Sequence, residues 1–271
     1  MAWLTDRLTR FAATRLGSVS DSFYRRAVQF VRFHDNFEYD GARNGEHALL
    51  RVLRRFDPHT VFDVGANVGE WSLEAARTLP DAAIHAFEVV PDTARRLEER
   101  TRDQASIRVN AIGLSEAPGR AEADVCADES WLSSIVQGAT AIHEGRFAKV
   151  SCELTTGDAY CAANGIARID MLKLDVEGAE GLALAGFETM LADGRIDVIQ
   201  FEYGMANIYS RFLLIDAYRM LGRHGFAIGK LYPDGVRFKP YHPADEDLRG
   251  PNYVAVASRR ADLMRAFERF R

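Results

Sequence analysis

The chain has 271 residues, of which 47% are hydrophobic, so it can bury a full core and fits one large domain. A formal net charge of −5 argues against broad binding to nucleic-acid phosphates, which requires clustered Lys and Arg. The three cysteines include no C-x-x-C pair, which argues against a zinc site or a disulfide framework, and no apolar run reaches the roughly 18 residues of a spanning helix. We therefore expect a cytoplasmic protein without stable membrane insertion.

Residues 1–56 are predicted to form an N-terminal helical extension or cap. Trp3, Leu4 and Phe11 fall roughly on one face of the first helix, with arginines elsewhere. This face can pack on the domain or on a second subunit, as in a homodimer, or it can lie on a membrane surface. The polar and aromatic stretch 34–41 can cap the mouth of a site or serve as an ordinary connector.

From Thr60 onward, strands alternate with helices, which predicts a parallel sheet covered on both faces. We assign 57–258 to this α/β domain and 259–271 to a terminal amphipathic helix. An insertion at about 116–154 interrupts the rhythm, and its segments 121–125 and 149–154 can pair as a hairpin. The predicted strands are 61–64, 83–87, 107–114, 169–174, 196–201, 226–231 and 253–257, and the predicted helices between them are 70–79, 91–102, 156–163, 179–191 and 208–224.

The segment Val61–Glu70 is a short apolar strand that ends in a two-glycine turn and leads into a helix. Gly65 and Gly69 let backbone approach a ligand, and the N–H groups at the helix start offer hydrogen-bond donors beside the Asp63 carboxylate. The segment is therefore predicted to be a ligand-binding loop.

Acidic residues recur where the predicted strands end. Asp63 belongs to the first strand and Glu88 follows the second, and the remaining acids, at the ends of the fourth and fifth strands, are Asp175, Glu177 and Glu202. Ligands of open parallel sheets bind beyond the carboxyl ends of the strands. We therefore expect these carboxylates to surround one site.

The glycine loop does not match the G-x-G-x-x-G fingerprint of dinucleotide enzymes. If Gly65 opens the fingerprint, Asn67 and Glu70 occupy its other glycine positions, and an acid there would repel a pyrophosphate. Glu88 lies one βαβ unit after Asp63, where a carboxylate can accept both hydroxyl protons of a ribose. A nucleoside ligand without phosphate, such as S-adenosylmethionine, is favoured.

These residues carry a family resemblance. The loop 61–70, Phe87-Glu88, Asp158, the block 169–180 and Phe201-Glu202-Tyr203 resemble the FkbM-type S-adenosylmethionine-dependent methyltransferases over roughly residues 40–257, with 172–180 as the most specific part. The resemblance implies the Rossmann-like, seven-stranded class I methyltransferase sheet, mostly parallel with an antiparallel last strand. It also implies methyl transfer mostly to oxygen of sugars, glycans, polyketides or other secondary metabolites.

The resemblance also assigns cofactor residues by position. It implies that Glu88 binds the ribose of S-adenosylmethionine and that Asn110 lies near its adenine. The residues expected beside the methionine part are Asp63, Gly65, Asn67 and Gly69. Ala66, which lies between Gly65 and Asn67 in the same loop, is also predicted to bind the cofactor.

Two versions of acceptor activation stay open. In the first, Asp175 or a histidine, His143 or His242, takes the proton of the acceptor hydroxyl. In the second, Asp175 and Glu202, with or without Glu177, hold a Mg²⁺ that lowers the pKa of that hydroxyl. Lys173 lies in a predicted buried strand, so we expect it to pair with a neighbouring carboxylate.

Two other classes of function also fit such a sheet. One is a nicotinamide-dependent oxidoreductase, which the failed glycine fingerprint disfavours. The other is a cofactor-binding scaffold without turnover, which the intact acids at the strand ends disfavour. The expected partner is a small-molecule or glycan acceptor rather than nucleic acid.

Overall fold

In a computed structural model, the chain folds around one large sheet. The structure describes residues 2–15, 18–126, 133–142, 145–250 and 252–270. The strands are β1 Thr60–Val64, β2 Ala83–Phe87, β3 Ile107–Asn110, β4 Gly113–Leu114, β5 Gly119–Cys126, β6 Phe147–Thr155, β7 Ile169–Leu174, β8 Ile196–Glu202, β9 Phe226–Tyr232, β10 Gly235–Phe238 and β11 Asn252–Ala257.

The helices surround this sheet and precede it. They are α1 Ala2–Arg15, α2 Ser18–His34, α3 Gly41–Asn44, α4 Glu46–Leu53, α5 Glu70–Thr78, α6 Pro91–Thr101, α7 Gly157–Asn164, α8 Glu180–Ala185, α9 Glu188–Ala192, α10 Asn207–Ser210, α11 Leu214–Arg223 and α12 Ala261–Phe267. Short 3-10 turns cover Arg54–Phe56, Ala139–Ile142 and Pro243–Asp245. No helix in the described part of the chain is long and apolar enough to cross a membrane.

The strand order of the large sheet is β10-β9-β11-β8-β7-β1-β2-β3. Neighbours from β8 to β3 run parallel, whereas β11 runs antiparallel to both β8 and β9. The Rossmann-like α/β class and its antiparallel last strand are confirmed. The predicted count of seven strands is wrong, because the chain reverses after Tyr232 and adds β10 as an eighth, antiparallel edge strand.

The predicted insertion hairpin is present as a second sheet of order β4-β6-β5. Its register pairs Ala121 with Cys152 and Val125 with Ala148. The predicted strand 107–114 is divided, because Ile112 N donates to Asn110 O (2.9 Å) in a tight turn and β4 then joins β6. The second sheet therefore begins where β3 leaves the first.

The predicted helix 179–191 is two helices. A Cβ on Gly186 would lie 2.2 Å from Ser115 O, so the chain passes too close to β4 to continue as one helix with an ordinary residue there. The Asp158 carboxylate accepts the backbone N–H groups of Thr189 (2.7 Å) and Met190 (3.0 Å) and so caps α9. The predicted helix 208–224 is divided at Arg211, which has φ 58°.

The two faces of the large sheet bury separate apolar clusters. Phe62, Leu172 and Phe187 lie in the cluster that is covered by α7, α8, α9 and α11. Leu49 and Leu50 of α4 are fully buried in the opposite cluster, with residues of β1, α5 and α12. The end of the N-terminal extension therefore forms part of the domain core, whereas the side chains of α2 from Asp21 to His34 are exposed except for the half-buried Ala27.

Candidate active site

A large cavity opens at the carboxyl ends of β1, β2, β7 and β8, where sequence reasoning placed the acids. Its volume is about 1350 Å³. A pocket for one drug-sized ligand spans roughly 300–1000 Å³, so this cavity has room for two substrates side by side. It is walled by the loops after these strands, by residues 133–135 of the insertion and by parts of the segment 37–47.

The glycine loop is fixed to β2 and to Glu88. Gly65 N and Ala66 N both donate to Phe87 O, at 3.0 and 2.9 Å. The Glu88 carboxylate accepts Asn67 N (2.9 Å) and Val90 N (2.9 Å). Burial raises the pKa of Glu88 to about 7. Glu88, Gly65, Ala66 and Asn67 thus form one continuous section of the cavity wall.

Gly65 brings the loops after β1 and β7 into direct contact. It has φ +85°, and a Cβ there would lie only 1.7 Å from Asp175 O. A glycine at this position therefore allows the loop of one strand to touch the backbone of the next. Because of this contact, the glycine loop and the acids after β7 share one wall.

Three carboxylates converge on the far side of this contact. Oxygens of Asp175, Glu177 and Glu202 all lie within 4.8 Å of one another. Burial, then the charges of Asp175 and Glu180, raises the pKa of Glu177 to about 8. Burial and the same group of acids raise the pKa of Glu202 well above its ordinary value. At neutral pH, Glu177 and Glu202 therefore tend to stay protonated, unless a bound cation compensates their negative charges.

Lys173 is a buried cation that forms ion pairs with two carboxylates, one of which belongs to this cluster. Its ammonium lies 3.0 Å from Asp175 Oδ2 and 3.3 Å from Asp63 Oδ1, with a side chain only 5% exposed. Burial would raise the pKa of Asp175, but the Lys173 ammonium outweighs that effect and lowers it. The prediction that Lys173 pairs with a neighbouring carboxylate is confirmed.

Glu180 shapes the turn that carries the acids. Its Oε1 accepts Val176 N (3.1 Å) and Gly178 N (3.3 Å), and its Oε2 accepts Asn207 Nδ2 (3.2 Å). Glu177 and Gly178 both have positive φ, 50° and 97°, so the turn needs such external hydrogen bonds to keep its form. Glu180 belongs to the block 169–180 that carries the family resemblance, but the sequence pattern predicts no role for it.

The N-terminal segment supplies a wall that sequence reasoning left open. Asn36 Nδ2 donates to Asn44 O (2.7 Å) and Leu231 O (2.9 Å), which fixes the segment to β9. Phe37 and Tyr39 line the cavity as a result, so the stretch 34–41 lies at its mouth. Glu46, also in the wall, was missed, because its partner Asn252 lies 206 residues away. The only sequence signal near Glu46 is the turn-forming pair Asn44-Gly45 directly before it.

Several predicted site residues lie away from the cavity wall. Asp63 is fully buried, and Ser72 Oγ donates to it at 2.6 Å. Gly69 begins α5 and packs against Leu97, and the Asn110 amide accepts the Tyr160 hydroxyl (3.0 Å).

Of the two candidate histidines, His242 lies within the described chain and is not among the cavity-lining residues. His242 is exposed and accepts Ala244 N (3.1 Å) through Nδ1 at the start of a 3-10 turn. His143 lies outside the described residues. Among the predicted bases within the described chain, Asp175 lines the cavity and His242 does not.

Residues 63–228 match the model of the methyltransferase FkbM domain, which is more than half of the chain. The chain belongs to the FkbM methyltransferase family. As a member, it is an S-adenosylmethionine-dependent methyltransferase. The matched range begins in the glycine-loop strand and includes all three acids of the cluster.

Two curated relatives are similar to this chain at moderate identity. The 2-O-methyltransferase NoeI of Sinorhizobium fredii (strain NBRC 101917 / NGR234) is 28% identical over 198 residues, which are 69% of this chain and 80% of NoeI. The 31-O-demethyl-FK506 methyltransferase FkbM of Streptomyces tacrolimicus is 29% identical over 153 residues. That match spans 47% of this chain and 59% of the relative.

A solved FkbM methyltransferase from Methylobacillus flagellatus KT is also similar. Its structure matches with a TM-score of 0.47 at 16% identity, over 74% of this chain. The match covers 44% of that longer chain.

The charges of the cavity fit S-adenosylmethionine, which carries a sulfonium and an amino group. The wall contains nine acidic side chains, those of Asp40, Glu46, Glu70, Glu74, Glu88, Asp175, Glu177, Glu180 and Glu202, against the cationic side chains of Arg77 and Lys173. Raised pKa values leave Glu88, Glu177, Glu180 and Glu202 partly protonated near neutral pH, but the remaining acids still outnumber the two cations. Such a wall attracts a cationic ligand and repels a pyrophosphate. The charge of the site thus agrees with the argument from Asn67 and Glu70.

Proposed function

We propose that this FkbM methyltransferase methylates a hydroxyl oxygen of a sugar, a glycan or a secondary metabolite. The observation that carries the proposal is the single wall in which Gly65 touches Asp175, so that a cofactor loop and a carboxylate cluster face the same cavity. The relatives NoeI, a 2-O-methyltransferase, and FkbM, a 31-O-demethyl-FK506 methyltransferase, support oxygen as the atom methylated.

Glu88 and the loop 65–67 would hold the cofactor. The Glu88 carboxylate, set in the wall beside the loop, suits the two hydroxyl groups of a ribose. When bound, S-adenosylmethionine supplies an electrophilic methyl carbon. The protein then has to bring an acceptor oxygen into line with that carbon, and such positioning lowers the barrier by several kcal/mol.

Asp175 is proposed to orient the acceptor hydroxyl and to take its proton as the new O–CH₃ bond forms. Its side chain is 41% exposed toward the cavity, and Lys173 keeps it ionised. Glu202 and Glu177, whose pKa values are raised, are suited to donate hydrogen bonds to other acceptor oxygens. Phe37 and Tyr39 offer aromatic faces to a sugar or macrocycle ring at the mouth.

The Mg²⁺ version uses the same carboxylates differently. Three hard oxygen ligands within 4.8 Å of one another are a set that Mg²⁺ binds. We favour the direct version, because the Lys173 ammonium already neutralises one of the three charges. Activity that survives EDTA would support the direct version, whereas loss in EDTA and recovery with Mg²⁺ would overturn it.

The proposed activity is tested with S-adenosylmethionine and a panel of sugars, oligosaccharides and hydroxylated metabolites. The readouts are S-adenosylhomocysteine and the mass of one added methylene in the product. We expect D175N to reduce kcat by at least about 10² and E88Q to raise KM for the cofactor. The exposed α6 variant E98Q is the control and should leave both constants unchanged. Methylation of nitrogen or carbon instead of oxygen would contradict the proposal.

A further inference from the structure

The helix α2 presents an aromatic face that nothing in the described chain covers. Phe23, Phe30 and Phe33, which lie on one side of the helix, are each between 67% and 75% exposed. Soluble monomers rarely leave contiguous apolar patches of this kind without a partner. The face is therefore open, within the described chain, to an occupant such as a partner or a surface.

The face is one side of an amphipathic helix that has two of its three arginines, Arg25 and Arg32, on the other side, whereas Arg26 lies at the edge of the aromatic face. Phe23, Ala27 and Phe30 follow the i, i+4, i+7 spacing of one helical face, whereas Arg25, Gln29 and Arg32 follow the same spacing on the opposite face. Apart from the half-buried Ala27, these side chains are exposed. Aromatic rings on one side and arginines on the other are typical of helices that lie in the plane of a membrane surface.

The charge of this region is opposite to that of the whole chain. Residues 1–34 contain six arginines and two aspartates, a formal excess of four positive charges, whereas the chain as a whole carries −5. A symmetric dimer through this face would set two like-charged helices against each other. An anionic lipid surface instead complements both the rings and the arginines.

The helix is attached beside the mouth of the cavity. Two residues after α2 ends, Asn36 is tied to the backbone of Leu231, and Asp35 pairs with Arg249 at 3.2 Å. Phe37 and Tyr39, at the mouth, follow directly. A surface bound through α2 therefore lies next to the entrance of the active site.

We propose that α2 docks this methyltransferase on an anionic lipid bilayer, with its aromatic face in the interfacial region and its arginines at the headgroups. The contact is peripheral, because no helix in the described chain can span a membrane. Docking depends on charge and is weakened by salt. It is independent of methyl transfer, so the two proposals can fail separately.

The test is sedimentation of the full chain with vesicles. We expect binding to vesicles of phosphatidylcholine mixed with phosphatidylglycerol, much weaker binding to phosphatidylcholine alone, and release at high salt. F23S/F30S should lower the partition coefficient by at least about tenfold, because two rings no longer enter the interface. R25Q/R32Q, which removes the two arginines opposite the aromatic face, should lower it by about tenfold or more for the anionic vesicles.

The control variant R95Q/R102Q removes the same charge from exposed positions on and next to α6. It should bind vesicles as the parent protein does, and thermal unfolding should show that all variants are folded. Absence of binding to the anionic vesicles, or equal loss in the control, would overturn the proposal. So would a dimer in sedimentation equilibrium that F23S/F30S dissociates, since the face would then belong to a second copy.

Discussion

Lys173 is the residue on which the charge of the active site depends. It lies between Asp63, which is fully buried, and Asp175, which reaches the cavity. The register of the sheet places Asp63 and Lys173 directly opposite each other on β1 and β7. All three residues were singled out from the sequence, but Asp63 was expected to contact the cofactor. Its pairing with Lys173 could not be predicted, because the register between β1 and β7 is set by tertiary pairing and not by local pattern.

Replacing Lys173 with methionine should destabilise the fold strongly. It leaves the Asp63 charge buried without its cation, which costs about 3–5 kcal/mol in the free energy of unfolding. The matched variant K149M breaks a half-exposed pair with Asp124 and should cost no more than about 1 kcal/mol. Urea unfolding measures the loss in the free energy of unfolding for both variants. Equal losses would show that burial of an ion pair does not determine how much its cation stabilises the fold.

The raised pKa values of the cluster predict how stability changes with pH. Glu177, with a pKa raised from 4.5 to about 8, holds its proton better in the folded state, so its stabilising contribution is lost as pH rises through that range. Buried His85, with a pKa lowered to about 4, has the opposite effect below about pH 6.5. Between pH 6.5 and about 8.5, the melting temperature should therefore fall, and in E177Q it should fall less. A parallel fall in both proteins would remove Glu177 as the cause.

At the scale of elements, the contact between the loops after β1 and β7 brings the glycine loop and the acids into one site. G65A would force a Cβ against Asp175 O at a φ of +85° and should destabilise the protein by at least about 2 kcal/mol. G222A, in the exposed part of α11 with open space around it, should stabilise it by about 0.5–1 kcal/mol. Opposite signs in urea unfolding are the expected result. A neutral G65A would mean that the two loops can separate without cost.

Elements were predictable from the sequence where local pattern decides them. The predicted strands 83–87 and 169–174 match β2 and β7 residue for residue, and the pairing of 121–125 with 149–154 is confirmed. The division into α8 and α9 was missed, because it depends on the Asp158 cap and on Ser115 across the fold. The wall residue Glu46 was missed for the same reason, whereas the acids were found because parallel topology gathers strand ends.

Across the whole molecule, the cavity joins segments from both ends of the chain. Glu46 near its start and Asn252 near its end hydrogen-bond in the same wall. A ligand that binds there stabilises all of these segments together against unfolding.

S-adenosylmethionine should therefore raise the melting temperature of the whole protein. At about 100 times its dissociation constant, the expected stabilisation is about 2.7 kcal/mol, or roughly 5 °C for a chain of this size. NADH should give no shift, because its pyrophosphate meets the acidic wall. A shift with NADH and none with S-adenosylmethionine in the same thermal scan would favour the oxidoreductase reading instead.

The close contact of Gly65 with the Asp175 carbonyl also has a consequence for the redesign of such enzymes. The two loops that would align donor and acceptor are locked to each other at the centre of the sheet, whereas the segment 37–47 and the insertion residues 133–135 reach the cavity from its periphery. Exchanging these outer segments between relatives should change which alcohol is accepted while leaving the line of attack in place. New acceptor preference can thus be grafted at the rim without rebuilding the catalytic centre.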